Sequence, residues 1–323
     1  MQVRVFRPAA ALAGLLLIVP FAALAQPAAP SSPAIADQPP AELQVADLPP
    51  AQEQAAPMSA IPPIDKTSDI VLRVDSAGKL SDIFDHADYA AADARDGEAE
   101  VPRLLVEAMP GDLRRLESID LRKDVFFDAL LPLVLRVNED IRHDRDRLLA
   151  LQGLQRLGLG LSADSKAWLA ELGDRYGVAD GDMDELLRRV DVVPPSLALA
   201  QAAVESGWGT SYNAQRRNAL FGQTAGSAVR YAAFDRLIDG VAAYARNLNT
   251  HPAYAGFRAR RAELRAARQK LDGYDLASTL LRYSTRGTAY IRDVRALIRD
   301  NDLVALDSAR LAADRALSLP AAS

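Results

Sequence analysis

Apolar residues recur every three and four positions along most of the chain after Asp124. The first strong run is Phe126, Phe127, Leu130, Leu131, Val134 and Val137. This spacing predicts a helix with one buried face. Pro132 lies inside it, lacks an amide donor, and is expected to kink or interrupt it. The pattern resumes over Asn138 to Leu151, where Arg142-His-Asp-Arg-Asp-Arg147 reads as a solvated face of alternating sign. Further helices are predicted over Ser165 to Tyr176, capped by Ser162 or Asp164, and over Met183 to Val190 and Ser196 to Glu205. Four more are predicted over Arg236 to Asn249, Ala262 to Leu271, Leu276 to Tyr283 and Tyr290 to Asn301. Asp191-Val-Val-Pro-Pro195 stops one helix and opens the next, since proline is permitted in a first turn. Before Asp124 the pattern is weaker. Ile70 to Val74 reads as a short strand, and Asp85 to Glu100 is polar and acidic. There is no internal repeat.

The N-terminal end changes the picture of where the chain works. Arg4 and Arg7 precede an apolar run from Ala9 to Leu24, and Ala23-Leu24-Ala25 offers small residues for a signal peptidase. Cleavage would leave Gln26 as the new N-terminus. The alternative is an uncleaved anchor, but the run is short and contains Pro20. Gln26 to Pro63 is rich in Pro and Ala and reads as an extended tether. The expected organisation is a signal peptide over residues 1–25, a linker over 26–63 and an extension of unknown role over 64–124. A helical domain over 125–308 and a fraying tail over 309–323 complete it. The protein is expected to be exported, to the periplasm or cell envelope.

Composition excludes several chemistries. There is no cysteine, so neither a disulfide nor a thiolate metal site is expected. His86, His143 and His251 are far apart and form no ligand-spaced cluster. No metal or cofactor is implied. A formal charge of −5 argues against nucleic acid as a partner. A membrane would be met only through the N-terminal segment.

The candidate chemistry lies in Gln201-Ala-Ala-Val-Glu205-Ser-Gly-Trp208-Gly-Thr210. A carboxylate ends an apolar helix, and Gly207 and Gly209 then allow a tight reversal. Gln201 stands one turn before Glu205, so both are expected to face a cleft. Trp208 would bring an apolar ring near the carboxylate, and desolvation by such a wall favours the protonated acid. The plain alternative is a solvent-exposed glutamate at a helix end.

Ser196 to Ser211 resembles the active-site helix of bacterial endo-β-N-acetylglucosaminidases, enzymes that cut the glycan of peptidoglycan. Arg189-Val-Asp-Val-Val-Pro-Pro195, Asn218-Ala-Leu-Phe-Gly222, Asn247-Leu-Asn-Thr-His-Pro-Ala-Tyr254 and Leu281-Arg-Tyr-Ser-Thr-Arg-Gly287 resemble the Bax-like branch of that group. They follow in family order over Phe126 to Leu303. The resemblance implies a mainly α, lysozyme-like glucosaminidase domain whose partner is the peptidoglycan glycan strand. It implies hydrolysis of the β-1,4 bond after N-acetylglucosamine. Glu205 matches the family's catalytic acid, and Tyr283 matches its site tyrosine, a second catalytic residue that would orient or stabilise the sugar or water; Tyr290 matches a second tyrosine. Asn218, Phe221 and Gly222 match the turn forming the opposite wall, where Phe221 would pack against a sugar. Gln201 and Asn218 would position the substrate. His251 reads as a turn residue that caps a helix end. Ala219 stands where the Bax-like pattern has an asparagine, and the loop from Gln223 to Arg230 is short and lacks the usual cysteines. A second carboxylate does not follow from spacing: Asp235, Asp239 and Glu263 are candidates, the first two also as helix caps, and the substrate's own N-acetyl group is the alternative nucleophile. The rival functions are a lytic transglycosylase and a non-catalytic glycan-binding scaffold.

Overall fold

The computed structural model describes residues 68–116, 118–179, 182–223 and 232–313, all within the unit Gln44–Ser323. The predicted signal segment and linker, and the loop at 224–231, lie outside the described residues. The architecture is mainly α. In chain order it runs β1 (Ile70–Leu72), α1 (Ala77–His86), β2 (Glu100–Val101), β3 (Leu104–Val106), α2 (Ile119–Arg156), α3 (Ala163–Tyr176), α4 (Met183–Arg189), α5 (Pro195–Ser206), α6 (Tyr212–Arg217), α7 (Leu237–Thr250), α8 (Ala255–Ala266), α9 (Gly273–Ala277), α10 (Thr288–Asp300) and β4 (Arg310–Leu311). Tight 3-10 turns join several of these, notably Ala91–Gly97, Pro252–Tyr254 and Leu303–Ser308. Among the described residues no helix is long and apolar enough to cross a membrane.

Helix α2 is the spine. It passes through Pro132 without the interruption that was one of the two expected outcomes. A proline leaves the carbonyl four residues earlier without its helical donor. Here that carbonyl belongs to Asp128, and the buried Tyr89 hydroxyl donates to it at 3.2 Å. Residues on both sides of Pro132 are buried, so packing keeps the helix continuous through a residue that local propensity would break.

The division expected at residue 124 does not exist. α2 begins at Ile119 and crosses it. β1 pairs in parallel with β3, Ile70 opposite Leu104. Asp69 sits between Arg103 at 3.0 Å and Arg136 of α2 at 2.8 Å. Leu80, Phe84, Val101 and Leu113 share one apolar core with the helices that follow. The tail is also shorter than expected: Ala309 is buried, and β4 pairs in parallel with β2.

Two helix predictions shift for local reasons. α8 starts at Ala255, not Ala262, because Arg258 and Arg261 lie on its buried face and disguise the apolar pattern. α9 ends at Ala277, well short of Tyr283. The Ser278 and Thr279 hydroxyls donate back to the carbonyls of Asp275 at 2.6 Å and Leu276 at 2.7 Å, which closes the helix.

The segment leading into α5 is fixed from several sides. Asn138 of α2 donates to the Val193 carbonyl at 2.7 Å and accepts from the Val193 amide at 3.1 Å. Asn249 of α7 donates to the Asp191 carbonyl at 2.9 Å. Arg261 of α8, fully buried, donates to the carbonyls of Arg188, Asp191 and Val192, each at 3.0 Å. At the start of α5 the Asp307 carboxylate accepts from the Ser196 amide and hydroxyl, both at 2.8 Å, and from the Gly273 amide at 3.0 Å.

Candidate active site

α5 is buried on every side from Pro195 to Ala203, not on one stripe. Its alanines at 198, 200, 202 and 203 let it lie close to α2, α9, α10 and the turn Leu303–Ser308. The helix ends in three consecutive left-handed residues, Gly207, Trp208 and Gly209, with φ of 55°, 59° and 72°. Ser206 pins this reversal: its hydroxyl donates to the Ala202 carbonyl at 2.6 Å and accepts from the Gly209 amide at 2.8 Å. The tight turn read from the two glycines is present.

Glu205 sits at this helix end, partly open to solvent, with its carboxyl crowded by neutral groups. Burial pushes its pKa up from 4.5 to about 7. A hydrogen bond from the Tyr290 hydroxyl and the charge of Arg286 offset only part of that rise. Gly222 closes the opposite side. It has a φ of +65°, and a Cβ built on it would lie 2.7 Å from Oε2 of Glu205. Only a glycine can bring the turn so close to the acid.

The remaining predicted site residues divide into those that face the acid and those that build the structure behind it. Tyr290 is the tyrosine in contact with Glu205. Tyr283 stacks on it, with ring centroids 5.5 Å apart and 10° between planes. The Tyr283 hydroxyl donates to the Phe221 carbonyl at 3.0 Å, so this tyrosine fastens the 218–222 turn rather than offering a free phenol. Gln201 is fully buried and does not face a cleft. Its amide nitrogen donates to the Tyr290 hydroxyl at 2.8 Å, and its carbonyl accepts from Tyr244 at 2.8 Å.

Three of the expected site residues have their side chains engaged away from the carboxyl of Glu205. Phe221 is 2% exposed and stacked on Tyr244 at 3.9 Å, so its ring belongs to the core and not to a sugar face. Asn218 caps α6 with a φ of 52°, and its side-chain amide donates to the carbonyls of Phe234 at 3.1 Å and Asp235 at 3.2 Å. That amide ties down the chain entering α7. Trp208 lies edge-on against Phe126 at 5.8 Å and Phe127 at 5.4 Å, with Lys123 over its ring. A left-handed conformation at 208 turns that side chain toward α2, and the wall against Glu205 is made by Gly222 and Tyr290.

The candidate second carboxylates are engaged elsewhere or face solvent. Asp239 pairs with Arg236 at 2.7 Å and completes a capping box at the start of α7. Glu263 is exposed and pairs with Arg260 at 3.1 Å. Asp235 is exposed in the turn before α7. Among the described residues, none of the three is an electrostatic partner of Glu205. His251 caps the turn Pro252–Tyr254 through Nδ1, which accepts from the Ala253 amide at 3.1 Å, as its sequence context suggests. Among the described residues no cluster of His, Asp or Glu could hold a metal ion.

Residues 182–303 match the family described as mannosyl-glycoprotein endo-beta-N-acetylglucosaminidase. The chain is also 35% identical over 205 residues to Protein bax of Escherichia coli (strain K12), an alignment that takes in 59% of this chain and 73% of that protein. The chain belongs to the Bax-like glucosaminidase-domain family. No solved structure matches it. The family match runs from the start of α4 to the turn after α10, and so contains α5, Gly222 and the tyrosines. Membership places this Bax-like protein among the glycosidases in general.

Sequence reasoning missed three groups of this Bax-like site. Tyr244 lies on the apolar stripe of α7. Its polar tip on a buried face is the signal that it serves a hydrogen-bond partner. Tyr254, whose ring lies 5.8 Å from that of Tyr283, and Arg286 both stood inside quoted motifs but carried no pattern of their own.

Proposed function

We propose that this protein is an exported peptidoglycan hydrolase that cleaves the β-1,4 bond after N-acetylglucosamine, with Glu205 as general acid. The observation that carries the reading is the placement of Glu205. Neutral groups crowd its carboxyl, and its pKa is raised to about 7, so a useful fraction is protonated near neutrality. The acid protonates the leaving glycosidic oxygen as the C1–O bond breaks. Water then adds at C1 and returns one proton to the site. Gly222, exposed and hard against the carboxyl, brings the turn up to the acid without a side chain to cover it. The N-terminal segment supports export, and the family supports a glycan substrate.

A lytic transglycosylase is the second reading. It is favoured by the lack, among the described residues, of a carboxylate partner for Glu205, because that reaction needs one acid and no activated water. Digestion of purified sacculi separates the two. Hydrolysis gives fragments with N-acetylglucosamine at the reducing end, whereas a transglycosylase leaves an anhydro end lighter by one water. Glu205→Gln should lower the rate of either reaction about 100-fold or more. Unchanged clearing of sacculi by that variant would refute the acid assignment.

A further inference from the structure

Three side chains, Tyr244, Gln201 and Tyr290, form one directed hydrogen-bond chain through the core behind Glu205. The Tyr244 hydroxyl donates to the Gln201 carbonyl at 2.8 Å. The Gln201 amide nitrogen donates to the Tyr290 hydroxyl at 2.8 Å. The Tyr290 hydroxyl, with its oxygen engaged by that amide, has its own proton left for Glu205. Tyr244, Gln201 and Tyr290 are all within 2% of full burial, so no solvent competes for these donors.

The direction of the chain has a cause. A glutamine amide can be turned over, exchanging its donor and acceptor ends. In the reversed state Tyr290 would donate to Gln201 and present only a lone pair to Glu205. Tyr244 opposes that reversal. Among the described residues its hydroxyl has no partner besides Gln201, so turning the amide over would leave a buried phenolic proton unpaired.

We propose that Tyr244 and Gln201 are positioning residues for the acid: Tyr244 latches the Gln201 amide in one orientation, which engages the Tyr290 oxygen and leaves the Tyr290 proton free to turn to Glu205. This rests on Glu205 being the acid. The other groups acting on Glu205 come from separate elements and stay in place when the latch is removed. They are Arg286 before α10, Tyr283 between α9 and α10, and Tyr254 in the turn after α7, with uncharged Gly222 against the carboxyl.

Tyr244→Phe removes one oxygen and keeps the ring that stacks on Phe221. The test is a carbon-13 titration of glutamate carboxyls in the full-length protein, with the Glu205 signal identified by its loss in Glu205→Gln. Tyr290→Phe should raise the Glu205 midpoint by about one pH unit, the size of a lost hydrogen bond to a charged group. Tyr244→Phe should raise it by a smaller but resolved amount, and the alkaline limb of kcat/KM on sacculi should move with it. A purely structural role for Tyr244 would lower the melting temperature and leave both midpoints in place. An unmoved Glu205 midpoint in folded Tyr244→Phe overturns the latch. Failure of the acid reading has a different sign, undiminished activity in Glu205→Gln, and leaves the titration free to decide the latch.

Discussion

Asp191, just before α5, and Glu205, near its end, both feel burial, and their pKa values move in opposite directions. For Asp191, burial pushes the value up, and Arg261, Arg265 and Arg145 together more than offset it, so it ends below 3.8. Arg265 lies at 2.8 Å, Arg145 at 3.7 Å and Arg261 at 3.8 Å. For Glu205 the same burial is met by one phenol and one exposed arginine, and the value stays near 7. Asp307 makes a third case. It accepts only from neutral donors on Ser196 and Gly273 and is also raised to about 7, mainly by burial. Neutral donors soften the cost of burying a carboxylate, while several full positive charges reverse it. The approach to α5 is therefore held by an ion-paired anchor, and the far end of the helix carries a group able to hold a proton.

Breaking the anchor should have the largest effect. Asp191→Ala leaves Arg261 buried without its carboxylate, and loss of one member of such a pair costs about 3–5 kcal/mol. Denaturant unfolding at pH 7 would measure it. A loss under about 1 kcal/mol would mean that Arg261 is held by its carbonyl partners alone.

The opposite end should respond with the opposite sign. Glu205 has a folded pKa of about 7 against 4.5 unfolded, so its stabilising contribution is fully present below 4.5 and is lost as pH rises through 7. Glu205→Gln should accordingly be more stable than the parent at pH 8, by at most about 3 kcal/mol, with the gap closing toward pH 4. Asp191→Asn should show the mirror image. Its deficit is largest above 3.8 and shrinks as pH falls through the lowered folded value. Parallel pH–stability curves for the two variants would erase the contrast. A smaller effect is expected from Gly222→Ala, which puts a Cβ into the left-handed region and against the acid. It should cost about 1–2 kcal/mol in stability and lower the rate on sacculi more than tenfold.

The sequence made the helices legible where one face is apolar, and made Glu205 legible through its glycine-rich exit. It misled where a polar side chain is buried. Arg258 and Arg261 hid the start of α8, and Gln201 read as a cleft residue because glutamine on an apolar helix has no other local explanation. Tyr89 could not be foreseen as the partner of the carbonyl freed by Pro132, since the two are brought together only by packing. Trp208, Phe221 and Asn218 share one lesson. A motif fixes residue types near a site, but which of them face the acid depends on backbone conformation at 208 and 218, where φ is 59° and 52°.

The smallest expected effect tests how far a single exposed charge reaches. Arg286 is the positive group acting on Glu205, but its side chain is about half exposed and is also paired with Asp293. Solvent and the competing carboxylate screen it, so its influence should lie within the range of surface ion pairs, below about 1 kcal/mol. Arg286→Gln should therefore raise the alkaline limb of kcat/KM by less than about 0.7 pH units. Added salt should move the parent in the same direction, because screening weakens the same attraction. It should leave Arg286→Gln nearly unmoved. A shift of two units in that variant would mean that Arg286 does for Glu205 what the three arginines do for Asp191. The distinction between a charge-held and a burial-held carboxylate would then fail at the carboxylate proposed as the acid.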